Sequence, residues 1–353
     1  MRPTLLLLPI PRRVEFRAGA FSLNQDAFIL LQSDPAALLP AARRFQRLAG
    51  LRWQLTASPA TPPQETGLRL RIVDDLSHAQ SYRLTVTPEG ISIEGADTAG
   101  AFYGVCTLIQ LLQQADSFSI PCCAIDDWPD FPARGVMLDI SRDRVPTLQT
   151  LYELIDRLAG WKINQFQLYM EHTFAYHAHP EVWREASPLT PEEIIDLDAY
   201  CRERFIELVP NQNSFGHMER WLRHPRYAPL AETSGDFSVP WGVQRGPFSL
   251  APNDPGSIAL VSELYDELLP HFTSLMVNVG CDETFDVGQG RSRDLVERLG
   301  AGRVYLDYLK KVLADVQQRG RTPQFWGDII VSHPDLVAEL PEGVIALEWG
   351  YEA

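Results

Sequence analysis

The chain has 353 residues, of which 45% are hydrophobic and 22% charged, with a formal net charge of −15. That is the composition of an ordinary soluble globular protein, at a length that calls for about two domains rather than one core. The acidic balance, with no long Lys/Arg cluster, argues against a nucleic-acid or anionic-membrane partner, whose phosphates demand a basic surface.

The chain opens on Met1-Arg2-Pro3-Thr4 and four leucines, a start similar to a secretory leader. Pro9 and Pro11 cut this apolar run, and no small-residue cleavage site follows. No apolar run approaches the ~20 residues that span a bilayer. Five cysteines, odd in number and without metal-ligand spacing, fit a reducing, cytoplasmic setting, with a secreted form left open. Strand-like runs are expected at 4–8, 27–31, 68–73, 82–87 and 90–94, and helices at 35–48 and 98–114. In the second helix Ala101, Phe102, Val105, Leu108, Ile109 and Leu112 recur on one face, with Asp97 placed as N-cap. Residues 1–127 therefore read as a small α+β domain with helices on one sheet face, and nothing in it clusters into a site.

The proline- and charge-rich segment Asp126-Asp127-Trp128-Pro129-Asp130-Phe131-Pro132 marks the boundary. From there the rhythm is strand–helix: strands at 134–140, 165–170, 207–211, 275–279, 323–327 and 344–349, helices at 147–160, 191–204, 258–272, 302–319 and 334–339. Regular alternation of this kind means a parallel sheet, with a (β/α)8 TIM-type barrel as the leading closure for residues 128–353. Six units are counted where the closed barrel has eight, so the barrel is expected to be incomplete at its C-terminal side.

In such a barrel the reactive groups follow the C-terminal ends of the strands. The first strand delivers Asp139 and Arg142, and the second Glu171, His172 and Tyr176. The third gives Asn211, Asn213 and His217, the fourth Asp282 and Glu283. The fifth supplies Trp326 and Asp328, and the sixth Glu348, Trp349 and Tyr351. The most informative of these is the island Gly280-Cys281-Asp282-Glu283-Thr284, closing the apolar run Leu275-Met276-Val277-Asn278-Val279. Adjacent carboxylates at the mouth of a buried strand repel each other and lose solvation, a cost that suits chemistry needing one protonated and one charged carboxyl. Taken singly each residue has an ordinary alternative: Asp282 as a helix cap, Arg142 in a surface ion pair, the tryptophans as core. Together, carboxylates, an arginine, amides and aromatics suit a sugar pocket. No phosphate-binding loop is present, and Glu171, His172 and His177 lack zinc-helix spacing, so no metal or other cofactor is expected.

Four motifs in order carry a resemblance to glycoside hydrolase family 20. Asp97-Thr98-Ala99-Gly100-Ala101-Phe102-Tyr103-Gly104 resembles the end of that family's N-terminal domain. Phe131-Pro132-Ala133-Arg134-Gly135-Val136-Met137-Leu138-Asp139 is similar to its first barrel strand, and Asn213-Ser214-Phe215-Gly216-His217 to its third. Gly280-Cys281-Asp282-Glu283 resembles its catalytic pair, most like the hexosaminidase D branch. The resemblance implies an exo-acting β-N-acetylhexosaminidase that removes terminal GlcNAc or GalNAc with retention, the substrate's own acetamide oxygen acting as nucleophile. It implies Glu283 as general acid and base, and Asp282 as the group that orients the acetamide. Arg142 would bind the sugar hydroxyls, Glu171 and His217 would form a supporting relay, Trp326 and Trp349 would wall the acetamide pocket, and Tyr351 would reach its carbonyl. The alternative is a sugar-binding protein without turnover, or an inactive fragment of such an enzyme.

Overall fold

The computed structural model describes residues 6–115 and 119–351. Two compact units form, one comprising residues 1–135, 151–165 and 200–206, the other 136–150, 166–199 and 207–353.

The first unit holds a seven-stranded mixed sheet. Its elements are β1 (Arg13–Ser22), β2 (Phe28–Leu31), α1 (Pro35–Leu48), β3 (Gln54–Thr56), β4 (Thr66–Ile72), β5 (Tyr82–Thr87), β6 (Gly90–Gly95), α2 (Thr98–Gln113) and β7 (Ser119–Asp127). The strand order is β1-β7-β5-β6-β4-β2-β3, and α1 and α2 pack on the sheet and on each other. Asp97 caps α2 by accepting from the Gly100 N–H at 2.7 Å, and its other oxygen takes the Gln80 N–H at 2.7 Å. A buried polar cluster sits among these elements. Lys162 donates to Asp127 at 2.8 Å and to the Tyr82 hydroxyl at 2.9 Å. Tyr82 in turn donates to Asp127 at 3.0 Å and shares a 2.7 Å hydrogen bond with Thr107.

Three strands of this unit escaped the pattern reading. β1 is exposed along nearly its whole length and charged, so it shows no buried alternation. β7 contains Pro121 and ends in two aspartates, and β3 is only three residues long. Of the run at 4–8, residues 6–8 form no strand, and Thr4 and Leu5 lie outside the described residues.

The remaining elements are β8 (Gly135–Asp139), α3 (Leu148–Gly160), β9 (Gln165–Tyr169), α4 (Pro180–Trp183), α5 (Pro191–Arg202), β10 (Glu207–Val209), α6 (Glu219–Leu222), β11 (Asp236–Val239), β12 (Gly242–Arg245), α7 (Pro255–Leu268), β13 (Met276–Asn278), α8 (Arg293–Leu299), α9 (Ala301–Gln318), β14 (Thr322–Trp326) and β15 (Ile345–Leu347). The six predicted barrel strands are all present, in the orders β10-β9-β8 and β13-β14-β15. A parallel bridge between Asn211 and Asn278 joins the two groups into one barrel wall. Its interior carries a polar ladder: Asn278 donates to Gln167 at 3.1 Å, and Gln167 to Gln324 at 2.9 Å. The expected helix at 334–339 is a 3₁₀ segment, and the hairpin β11–β12 was not anticipated. All five cysteines are free and buried, and no described helix is long and apolar enough to cross a membrane.

Candidate active site

The loop after β13 is backbone-strained. Gly280, Cys281 and Glu283 adopt left-handed conformations with φ of +68°, +69° and +52°. Only glycine fits at the first, because a Cβ there would stand 2.0 Å from Asn213 Oδ1. Gly216 is equally constrained, since its Cβ would meet the Asp282 carbonyl at 2.2 Å. Such conformations persist only where neighbouring groups hold them. The ties are visible: Tyr305 donates to the Cys281 carbonyl at 3.0 Å, and the Trp326 N–H to the Gly280 carbonyl at 2.9 Å. The Glu283 N–H donates to Asp328 Oδ2 at 3.0 Å.

This loop brings Asp282 and Glu283 to one imidazole. His217 Nε2 lies 3.3 Å from Asp282 Oδ2 and 3.4 Å from Glu283 Oε2, while Nδ1 lies 3.5 Å from Glu171 Oε1. Burial opposes charge on His217, but hydrogen bonds to Asp282 and Glu283 and the fields of Asp282 and Glu171 overcome it, lifting the imidazole to about 10. Glu171, itself buried, pairs with Arg142 and accepts from Tyr169 at 3.1 Å. Burial nonetheless leaves the Glu171 carboxyl above its ordinary range, against the pull of Arg142 and His217. Asn213 completes the chain by donating to the Tyr169 hydroxyl at 2.6 Å. Asp328 is pushed up to about 6, chiefly by burial and then by the neighbouring Asp282 and Glu283 charges, which outweigh the amide hydrogen bonds it accepts.

These groups surround a cavity of about 310 Å³. Asp139, Arg142, His217, Asp282, Glu283, Trp326, Trp349 and Tyr351 all line it, on the ends of the first, third, fourth, fifth and sixth barrel strands or the loops beyond, with Tyr351 93% exposed. Glu171 stands behind Arg142 and His217 rather than in the wall. His172 goes elsewhere: it lines a separate charged cavity with Asp143 and Arg220, and burial followed by the arginines of that cavity drops its imidazole to about 4. Tyr169 lines the site but was missed, because an aromatic ending an apolar strand reads as core; its position as last residue of β9 was the available signal. One oxygen in the wall is left over: Asp282 Oδ1 is buried without a hydrogen-bond partner. The arrangement offers two adjacent carboxyl groups, one with a buried unpartnered oxygen, a clamped cation and an aromatic wall.

Comparison with known proteins points the same way. Residues 4–128 match domain 2 of glycosyl hydrolase family 20, and residues 131–352 match the catalytic domain of that family. A beta-hexosaminidase of Akkermansia muciniphila is 27% identical over 310 residues, covering 77% of this chain and 61% of the relative. Hexosaminidase D of Homo sapiens is 28% identical over 232 residues, covering 63% of this chain and 46% of the relative. The chain thus spans about half to three-fifths of the length of these curated relatives. Among solved structures, the beta-N-acetylhexosaminidase from Bacteroides fragilis superposes with a TM-score of 0.79 at 22% identity, covering 98% of this chain and 70% of that one. An exo beta-N-acetylglucosaminidase from Vibrio harveyi in complex with N-acetylglucosamine gives 0.81 at 21% identity, covering 98% and 57%. These likenesses establish a shared two-domain fold with a TIM-type barrel.

Proposed function

The chain belongs to glycosyl hydrolase family 20, and on that premise we propose that it hydrolyses terminal β-linked GlcNAc or GalNAc from glycans or glycoconjugates, as an exo-acting β-N-acetylhexosaminidase with substrate-assisted chemistry. The observation that carries this reading is the pairing of Glu283 with a buried, unpartnered Asp282 Oδ1 in the same small cavity. A buried acceptor without a donor costs about 1–3 kcal/mol. The N–H of a 2-acetamido group supplies that donor, which a sugar with a 2-hydroxyl offers in a different position and with less charge.

Asp282 accepts from the acetamide N–H and turns the acetamide oxygen toward the anomeric carbon. Glu283 gives its proton to the glycosidic oxygen as that oxygen leaves, and the acetamide oxygen bonds to the anomeric carbon, forming a cyclic oxazolinium ion. The Asp282 carboxylate faces the developing positive charge. Glu283, now charged, takes a proton from water, whose oxygen opens the ring and restores the starting configuration. His217, held protonated between the two carboxylates, fixes both in place. Arg142, clamped by Glu171, half exposed and lining the cavity, binds sugar hydroxyls in this reading. Trp326 and Trp349 offer apolar faces to the acetamide methyl and ring, with Tyr351 at the outer edge. The cavity lies at the small end of the roughly 300–1,000 Å³ range of ligand pockets, which suits a single terminal sugar.

The test is release of nitrophenol from aryl β-GlcNAc and β-GalNAc by the intact protein. Glu283→Gln is expected to lower turnover by about 10²–10⁴-fold. Asp282→Asn is expected to leave a slow enzyme, down about 10²-fold or more. Tight GlcNAc binding with no product from the unaltered protein would favour the non-catalytic sugar-binding alternative, and turnover surviving Glu283→Gln would remove Glu283 from its role.

A further inference from the structure

The hairpin β11–β12 turns at an exposed indole. Trp241 is 67% exposed and Val243 beside it 72%, although the hairpin beneath them is firmly anchored. Phe237, Val239 and Phe248 are buried together, with Phe285 packed against them. The Trp241 ring stands 5.2 Å from Phe285, perpendicular to it, and Phe248 reaches to 4.9 Å from the His217 ring. Gln289 clasps the hairpin to the same loop: its side chain accepts from the Ser238 N–H at 2.8 Å and donates to the Ser238 and Phe285 carbonyls at 2.8 and 2.7 Å. Phe285 is two residues beyond Glu283, and its N–H donates to the Glu283 carbonyl at 2.7 Å.

We propose that Trp241 is the platform for the leaving group, and that this leaving group is a second sugar ring. The inference rests on the reading of Glu283 as the acid. An acid that protonates the glycosidic oxygen has the departing residue on its own side, and the loop that carries Glu283 continues, two residues on, to Phe285 with the Trp241 ring against it. The C–H face of a pyranose covers an indole well, while its hydroxyls stay in water at the rim. A fixed aromatic costs little ordering entropy when the sugar lands on it. One indole and one valine fall far short of the roughly 1,000 Å² that a stable protein interface buries, so a sugar suits the patch better than a second copy of the chain.

The decisive experiment titrates the intact protein by calorimetry with GlcNAc and with its uncleavable disaccharide, two β-1,4-joined GlcNAc units bearing sulfur in place of the linking oxygen. The disaccharide is expected to bind more tightly than the monosaccharide. Trp241→Ala should shrink that preference by about two- to tenfold and leave GlcNAc affinity within about twofold, and Trp241→Tyr should restore most of it. An unchanged preference in Trp241→Ala overturns the proposal. So does an equal loss for both ligands, which would mark a merely structural residue, or a change in sedimentation showing that Trp241 holds two copies together. If the unaltered protein binds neither sugar, the reading of the site itself falls, and this inference with it.

Discussion

Two buried charge clusters in this protein use the same chemistry to opposite ends. In the N-terminal unit Lys162, Asp127, Tyr82 and Thr107 bond to one another, and none of their side-chain polar atoms is buried without a partner among the described residues. In the barrel unit Arg142, Glu171, His217, Asp282 and Glu283 are just as close together, yet Asp282 Oδ1, Asn213 Oδ1 and Asp328 Oδ1 are buried and unmatched. Four residues of the loop between β13 and α8, namely Gly280, Cys281, Glu283 and Gly288, also hold left-handed backbone. A closed network holds a fold, whereas open valences and strain mark a place where a ligand completes the bonding.

The largest effect that would sharpen this contrast belongs to the closed cluster. Lys162→Met leaves Asp127 as a buried charge without a counter-ion, which costs about 3–5 kcal/mol. Against a total stability of about 5–15 kcal/mol, that is a large fraction. Urea unfolding should show it as a lower midpoint, and Lys162→Met combined with Asp127→Leu should recover most of the loss. Hydrolysis per folded molecule should stay unchanged. If Lys162→Met instead slowed turnover while leaving the midpoint alone, the division of labour between the two clusters would be wrong.

The contrast also explains what could be read from the residues alone. Four of the six barrel strands, β9, β10, β13 and β14, are legible because buried parallel strands are mostly apolar, as from Phe166 to Tyr169, whereas β8 and β15 lie at half-exposed or exposed positions. β1 carries Arg and Glu on exposed positions, and β7 breaks its alternation at Cys122-Cys123 and carries Pro121 and Asp126 half exposed, so neither reads as a clean period-two strand. At the site, residues beyond strand ends stand out by type, and the structure gathers Arg142, His217, Asp282, Glu283, Trp326, Trp349 and Tyr351 around one cavity. What pattern alone does not carry is pairing across the barrel. Tyr169 looks like core, Asp328 looks like any strand-end aspartate, and in the hairpin bearing Trp241 only the four residues Asp236–Val239 alternate before the exposed β12.

A middle-sized effect tests whether His217 is the charged centre of the open cluster. Its imidazole is raised from about 6.5 to about 10, so the native state binds the proton more tightly than the unfolded chain. The resulting stability is fully present below pH 6.5 and is lost as pH rises through about 10. Unfolding midpoints of the unaltered protein and His217→Gln should therefore differ most near pH 6 and converge above pH 10. A gap that widened with pH would mean that His217 is neutral in the folded protein.

The smallest effect has the opposite sign. Asp328 is raised from 3.8 to about 6, first by burial and then by Asp282 and Glu283. A carboxyl raised in this way stabilises the fold only while protonated, below about pH 3.8, and that advantage is lost as pH rises through 6. Above pH 6 the folded protein holds a disfavoured charge. Asp328→Asn keeps an oxygen that can accept the Glu283 N–H while removing the charge. The variant should thus unfold at a slightly higher temperature than the unaltered protein at pH 7, with the difference closing toward pH 4. Its activity on an aryl glycoside should fall at the same time, because the ionised carboxylate is the stronger acceptor for the amide that holds the left-handed Glu283 in place. A variant both more stable and equally active would show that the open cluster tolerates closure, and would remove the distinction between the two regions.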